Sequence, residues 1–362
     1  MKAKRDTISA RQLLFIFTIM VSSPATRFFP SFASLRAKQA GWVSPLISAV
    51  PFILLIIIMN VMFKSYKKES MAEIIDDIMG KLAGKFIVLL YLLWVTWNVA
   101  LYLRYSVERL VSSVYAGFDI KVFVIVNLIF IVYIIHSDIS VIGRMGEIIL
   151  PFIGLMLLIL TICLLPLVRL DNVAPVYFND IVPIMKASVG VSSILAYVFL
   201  LSFLGDRVSD KKHFLKLGFT TAFVNVSSVL VVLFITIGVL GSSTAERAPV
   251  PVLVAVKQVN IADTIENIEA IVVAIWIFAD FILVSALIVT ALNIMKVLFK
   301  LSDTKGLIKI FAVFAYYLTL SIAANKLELE DFSNKLLEPI NMSFGYAIPF
   351  LLFAVGKLRK KL

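Results

Sequence analysis

The feature that most constrains this chain is a repeated one. Apolar runs of about twenty residues recur from one end to the other, each long enough to cross a ~30 Å hydrocarbon core as a helix. The run IVVAIWIFADFILVSALIV, residues 271–289, is one of them. Most of the runs are continuous or of helical period. Alternating ten-residue segments are absent, which excludes an outer-membrane barrel. A hydrophobic share of 61% lies far above that of a soluble domain. The expected class is an all-α polytopic membrane protein, with residues 1–362 forming a single integral membrane domain.

Ten spans are expected, at about 9–34, 41–63, 84–113, 121–137, 147–169, 185–205, 214–240, 267–297, 307–324 and 341–357. With the N-terminus inside, most of the 34 basic residues fall on the inner side, Lys64, Lys67, Lys68, Arg207, Lys211 and Lys212 among them. That bias places both termini in the cytoplasm. It also accounts for the net charge of +11 through an anionic lipid leaflet, without nucleic acid. The start MKAKRDTISARQLLFIF is basic then apolar but lacks a small-residue cleavage site, so it reads as the first helix. The inner loop around residues 64–84 is amphipathic and is expected on the membrane surface. The outer loop around 241–267 is expected to form short helices that cap the bundle.

The single cysteine, Cys163, lies in an apolar run, permits no intramolecular disulfide and is expected to pack in the core. His136 and His213 fall at loop edges with no partner motif. No nucleophile–base pair or metal motif stands out in the sequence, and no soluble segment is large enough for an active site. Neither an enzyme nor a cofactor is expected.

Ten spans divide as five plus five, about 9–169 and 185–357, and an odd number per half inverts the second. In transporters built this way the first helix of each half is broken near the bilayer middle. Span 1 contains MVSSPATRFFPSF, where Ser22 and Ser23 precede Pro24 and Thr26 and Arg27 follow it. Proline removes a backbone N–H and clashes with the preceding turn. Span 6 contains KASVGVSSILAY, with Ser188, Gly190, Ser192 and Ser193. The matched positions point to a central binding site between broken helices 1 and 6. Close packing of small residues is the competing role.

The same residues carry a resemblance. ISARQLLFIFTIMVSSPATRFFPSF followed by AGWVSPLIS, and later APVPVLVAVKQVNIADTIENIEAIVVAIWIFADF with Glu266, Glu269 and Trp276, resemble the B subunit of spore-germination nutrient receptors. That family is grouped with amino-acid permeases in the amino acid–polyamine–organocation superfamily. The resemblance covers nearly the whole chain. It implies a leucine-transporter-type fold with helices 1 and 6 broken, and a nutrient site at the breaks lined by spans 3 and 8. It also implies an A subunit in the membrane and a lipoprotein C subunit as partners, in the spore inner membrane. The span 1 segment VSSPATR has no glycine, where relatives commonly have a glycine-rich break.

Asp280 sits at the centre of its apolar run. An acidic residue there costs about 2.5–3.5 kcal/mol on insertion scales, so it faces protein or water. Glu269 lies three turns earlier on nearly the same face, and Glu266 extends that line. Three roles are open to Asp280: ligand contact, proton or cation linkage with Glu269 and Ser285, or structural hydrogen bonding. Arg27 lies at a depth roughly 10 Å from that of Asp280 at ~1.5 Å per residue. It snorkels to the outer interface, contacts a ligand carboxylate or pairs with Asp280. On span 3, Trp94, Asn98, Tyr102 and Tyr105 share one helical face. Asn98 and Tyr102 are candidates to orient a polar ligand in an apolar pocket, against plain helix packing. Arg104 and Glu108 are expected to form a structural i,i+4 pair.

Three functional classes fit these features. The first is a nutrient-sensing receptor subunit that binds a small ligand such as an amino acid. The second is a proton-coupled amino-acid or organic-amine transporter, and the third a channel subunit. A shared fold does not separate them.

Overall fold

The computed structural model describes residues 7–67, 69–113, 119–259 and 268–362. Among the described residues the chain is helical, apart from one isolated bridge between Ile8 and Val208. Seven helical stretches are long and apolar enough to cross a membrane. The first, Ala10–Ser65, contains two helices, Ala10–Ala37 (span 1) and Ser44–Ser65 (span 2), joined by the turn Lys38–Val43. Spans 3 to 5 are Lys81–Ser113, Ile120–His136 and Ile139–Leu164. Span 7 is Phe214–Leu240, span 8 Ile268–Leu298 and span 9 Lys305–Ser321. With spans 6 and 10 below, the expected ten are present.

Span 1 begins at a reciprocal cap. Ser9 Oγ accepts from the Gln12 N–H at 3.1 Å, and Gln12 Oε1 accepts from the Ser9 N–H at 2.9 Å. Its apolar surface is spent inside the bundle, against spans 5, 6, 7 and 8. Span 1 differs from the expected break, because it stays helical through both Pro24 and Pro30. The prolines withdraw donors from the carbonyls of Met20 and Thr26 while keeping a helical φ. Packing on several sides holds the continuous form.

Span 6 also differs from the expected break at Gly190: it stays helical there, and only its hydrogen bonding changes at Ala196, whose backbone keeps helical angles (φ −57°, ψ −24°). Ile181–Leu195 ends at Ala196, followed by Tyr197–Leu201 and the tight turn Ser202–Arg207. Facing it, span 10 runs Lys326–Met342, widens into a π-turn at Ser343–Ala347, and continues as Ile348–Leu358. The two irregularities touch. A Cβ built on Gly345 would lie 2.1 Å from Ala196 Cβ, so only glycine permits this approach. Tyrosine hydroxyls bond to the main chain at both places: Tyr346 donates to the Ser192 carbonyl at 3.0 Å and Tyr91 to the Phe344 carbonyl at 2.7 Å. Within a bilayer, irregular backbone needs such internal partners.

Span 10 starts well before the expected residue 341, because its first half is polar and contains Glu330 and Glu338. The segment Met71–Met79, expected on the membrane surface, is helical, but the bundle covers its apolar face: Ile74, Ile75 and Ile78 are fully buried, beside span 3 and the end of span 10. The segment after span 7 forms the expected short helices, Ser242–Arg247 and Pro251–Val256, and they pack on spans 1 and 7. Cys163 is half-buried.

The Gly345 contact makes a prediction. Gly345→Ala should lower stability by about 1–3 kcal/mol through overpacking, and Ala196→Gly in the same chain should recover part of it. Thermal unfolding in detergent measures both; an unchanged Gly345→Ala midpoint would contradict the contact.

Candidate functional site

Asp280 is 3% exposed, and its partners come from two other spans. Ser23 Oγ donates to Asp280 Oδ1 at 2.5 Å, and Arg109 Nη2 lies 3.5 Å from Oδ2. Arg109 Nη2 also donates to Ser23 Oγ at 2.9 Å. The serine hydroxyl thus accepts from the cation and donates to the anion, which a hydroxyl can do at once. Spans 1, 3 and 8 meet at this triad. Asp280 Oδ2 has no hydrogen bond among the described residues. The guanidinium of Arg109 lies 5.1 Å from the ring centre of Trp276, one turn before Asp280.

Arg27 neither snorkels to an interface nor pairs with Asp280. It is 5% exposed, lies 3.9 Å from the Tyr105 ring centre, and bonds Glu330 of span 10 at 3.3 Å. An arginine buried in helix packing needs a carboxylate, and the polar first half of span 10 supplies it. The same half supplies Glu338, which grips Arg36 through two bonds of 2.6 and 2.7 Å. Gly190 faces this pair: a Cβ there would lie 2.7 Å from Glu338 Oε1 and 2.9 Å from the Phe32 ring. Arg104 and Glu108 form their i,i+4 pair at 3.0 Å, as expected.

The span 3 face enters a second network. Tyr197 donates to Asn98 Oδ1 at 3.0 Å, and its oxygen lies 2.7 Å from the Tyr102 hydroxyl and 3.0 Å from Asn341 Nδ2. One phenol has one proton, so Tyr102 and Asn341 are the donors to Tyr197. Trp94 Nε1 donates to Asn341 Oδ1 at 2.9 Å. Spans 3, 6 and 10 are locked together by these bonds.

The small residues divide. Ser22, Thr26, Ser188 and Ser193 each donate to a carbonyl three residues earlier on their own helix. Ser192 is buried, and its carbonyl receives Tyr346. Ser285 Oγ is buried without a hydrogen bond among the described residues, and Glu266 and the Glu269 side chain lie outside those residues. A cavity of about 180 Å³ opens beside span 1, lined by Ser22, Thr26 and Trp276 together with spans 5 and 7. No group of three His, Cys, Asp or Glu placed for a metal occurs among the described residues.

Sequence reasoning missed Arg109, Tyr197, Glu330, Glu338 and Asn341. Arg109 had a signal. It follows Tyr105 at i+4 and continues the face of Asn98 and Tyr102.

Solved structures share this fold. MhsT in complex with L-phenylalanine superposes with a TM-score of 0.68 at 14% identity, covering 98% of this chain and 90% of that one. A Na+-coupled sialic acid symporter in a substrate-bound outward-open state gives 0.64 at 12% identity, covering 94% and 79%. The fold is the leucine-transporter type, and the protein is an integral membrane protein. Residues 7–327 match the spore germination protein family, and the chain belongs to it. Relatives include spore germination protein KB of Bacillus subtilis (strain 168), 23% identical over 99% of this chain and 96% of the relative. Spore germination protein YndE of the same organism is 22% identical over 98% and 97%.

The triad makes a prediction. Asp280→Asn removes this counter-charge from Arg109 and should cost about 1–3 kcal/mol. Adding Arg109→Gln should restore part of the loss. Unfolding in detergent tests both, and additive losses would show that the two side chains do not interact.

Proposed function

We propose that this protein is the nutrient-sensing membrane subunit of a spore germination receptor. A small nutrient such as an amino acid acts at the polar centre where span 1 meets spans 3 and 8. The observation that carries this reading is the triad of Ser23, Asp280 and Arg109. It offers a buried cation, a buried anion with one oxygen lacking a hydrogen bond, and a hydroxyl between them. An α-amino acid brings the complementary pair of charges. Competition for Arg109 and Asp280 would loosen the tie between spans, and a ligand preferring the loosened arrangement shifts the population toward it.

Ser22, Thr26 and Arg27 on span 1, Asn98 and Tyr102 on span 3, and Ser188, Gly190, Ser192 and Ser193 on span 6 flank this centre in the proposal. Asp280, Ser285 and Glu269 are its proton- or cation-linked groups. The receptor would sit in the spore inner membrane with both termini cytoplasmic, beside a membrane A subunit and a lipoprotein C subunit. Family membership supports this setting, and the L-phenylalanine held by MhsT supports the ligand size. The alternative is a proton-coupled transporter of amino acids or organic amines, favoured by the two transporter-type neighbours.

The test uses spores of the native host carrying Ser23→Ala, exposed to the protein amino acids one at a time. Accumulation should be normal and the germination rate with the effective nutrient should fall at least tenfold. A normal rate would remove the triad from sensing. Uptake of that nutrient by proteoliposomes of the purified chain would move the reading to the transporter.

A further inference from the structure

The cavity beside span 1 differs chemically from the triad. Its volume of about 180 Å³ equals that of roughly six water molecules, and a cavity of this order accepts a benzene-sized guest. No charged side chain lines it. A zwitterion would there lose the hydration of two charges without gaining an ionic partner.

Its polar atoms define a complementary guest. The hydroxyl protons of Thr18, Ser22 and Thr26 are given to the carbonyls of Leu14, Ile19 and Ser23. The Asn225 amide nitrogen donates to Thr18 Oγ1 at 3.1 Å and to the Thr221 carbonyl at 2.9 Å. What these side chains have left to offer is acceptor lone pairs. Trp276 adds the reverse: it lines the cavity, is 1% exposed, and its Nε1–H has no acceptor among the described residues. A guest hydroxyl both donates and accepts, and so suits both sets.

The mouth lies between spans 5 and 7. Gly154 and Val224 form part of the wall there; Val224 is 40% exposed, and a Cβ built on Gly154 meets nothing within 4 Å. Both residues are exposed near the middle of their apolar spans, at the depth of a bilayer's hydrocarbon core. Arg109 lies 5.1 Å from the centre of the Trp276 ring.

We propose that this cavity is a second binding site, for a small uncharged apolar alcohol or phenol that enters from the bilayer. Its occupation bears on Arg109 through the Trp276 ring. The site is distinct from the proposed nutrient centre and does not depend on the sensing role.

The test uses the full chain in nanodiscs with 5-fluorotryptophan at its four Trp positions. The Trp276 fluorine signal is assigned by its loss in Trp276→Phe, and benzyl alcohol is titrated in. The expected result is a saturable shift of the Trp276 signal, with at least tenfold weaker binding in Val229→Phe, which fills the cavity. Gly154→Phe, placed in open space at the mouth, should also weaken binding or slow exchange. A non-saturating drift shared by all the fluorine signals, or saturable binding that neither variant changes, would overturn the proposal. No nutrient or germination readout enters this assay, so its failure leaves the proposed function untouched.

Discussion

The structure depends on one buried carboxylate and the side chains brought to it. Asp280 in an otherwise apolar helix carries an insertion cost of about 2.5–3.5 kcal/mol, and lipid offers it nothing. Ser23 and Arg109 meet that need from two other spans. Hydrophobic contact alone lets helices slide and rotate, because lipid tails are as apolar as side chains. A charged hydrogen-bonded contact does not. It fixes the rotation of spans 1, 3 and 8 together, and the neighbouring residues are placed by that choice.

The rest of the polar inventory follows the same logic. Arg27 and Arg36 face Glu330 and Glu338, so the polar first half of span 10 is stabilised by cations on span 1. Span 6 at Ala196 and the π-turn of span 10 pack together, with Tyr91 and Tyr346 bonded to nearby carbonyls.

Much of this was legible in the sequence. Apolar length alone located ten spans, because a bilayer sets helix length. Asp280 stood out for its cost, and the Arg104–Glu108 pair for its spacing. The expected span 10 began at residue 341 and so left out Glu330, which pairs with Arg27 of span 1. A window of hydropathy cannot register a pairing between distant segments. Pro24 promised a break, yet its helix is enclosed on several sides and persists. Arg109 was legible as the next step on the polar face of span 3, but its partner 171 residues away was not.

The central claim is that a nutrient acts through the Asp280 carboxyl. Infrared difference spectroscopy on the purified chain, with aspartate carboxyls carbon-13 labelled, reads that group directly. Adding a mixture of the protein amino acids should change a carboxyl band that is absent from the difference spectrum of Asp280→Asn. Nutrient binding detected as heat, with identical difference spectra for the two proteins, would contradict the account.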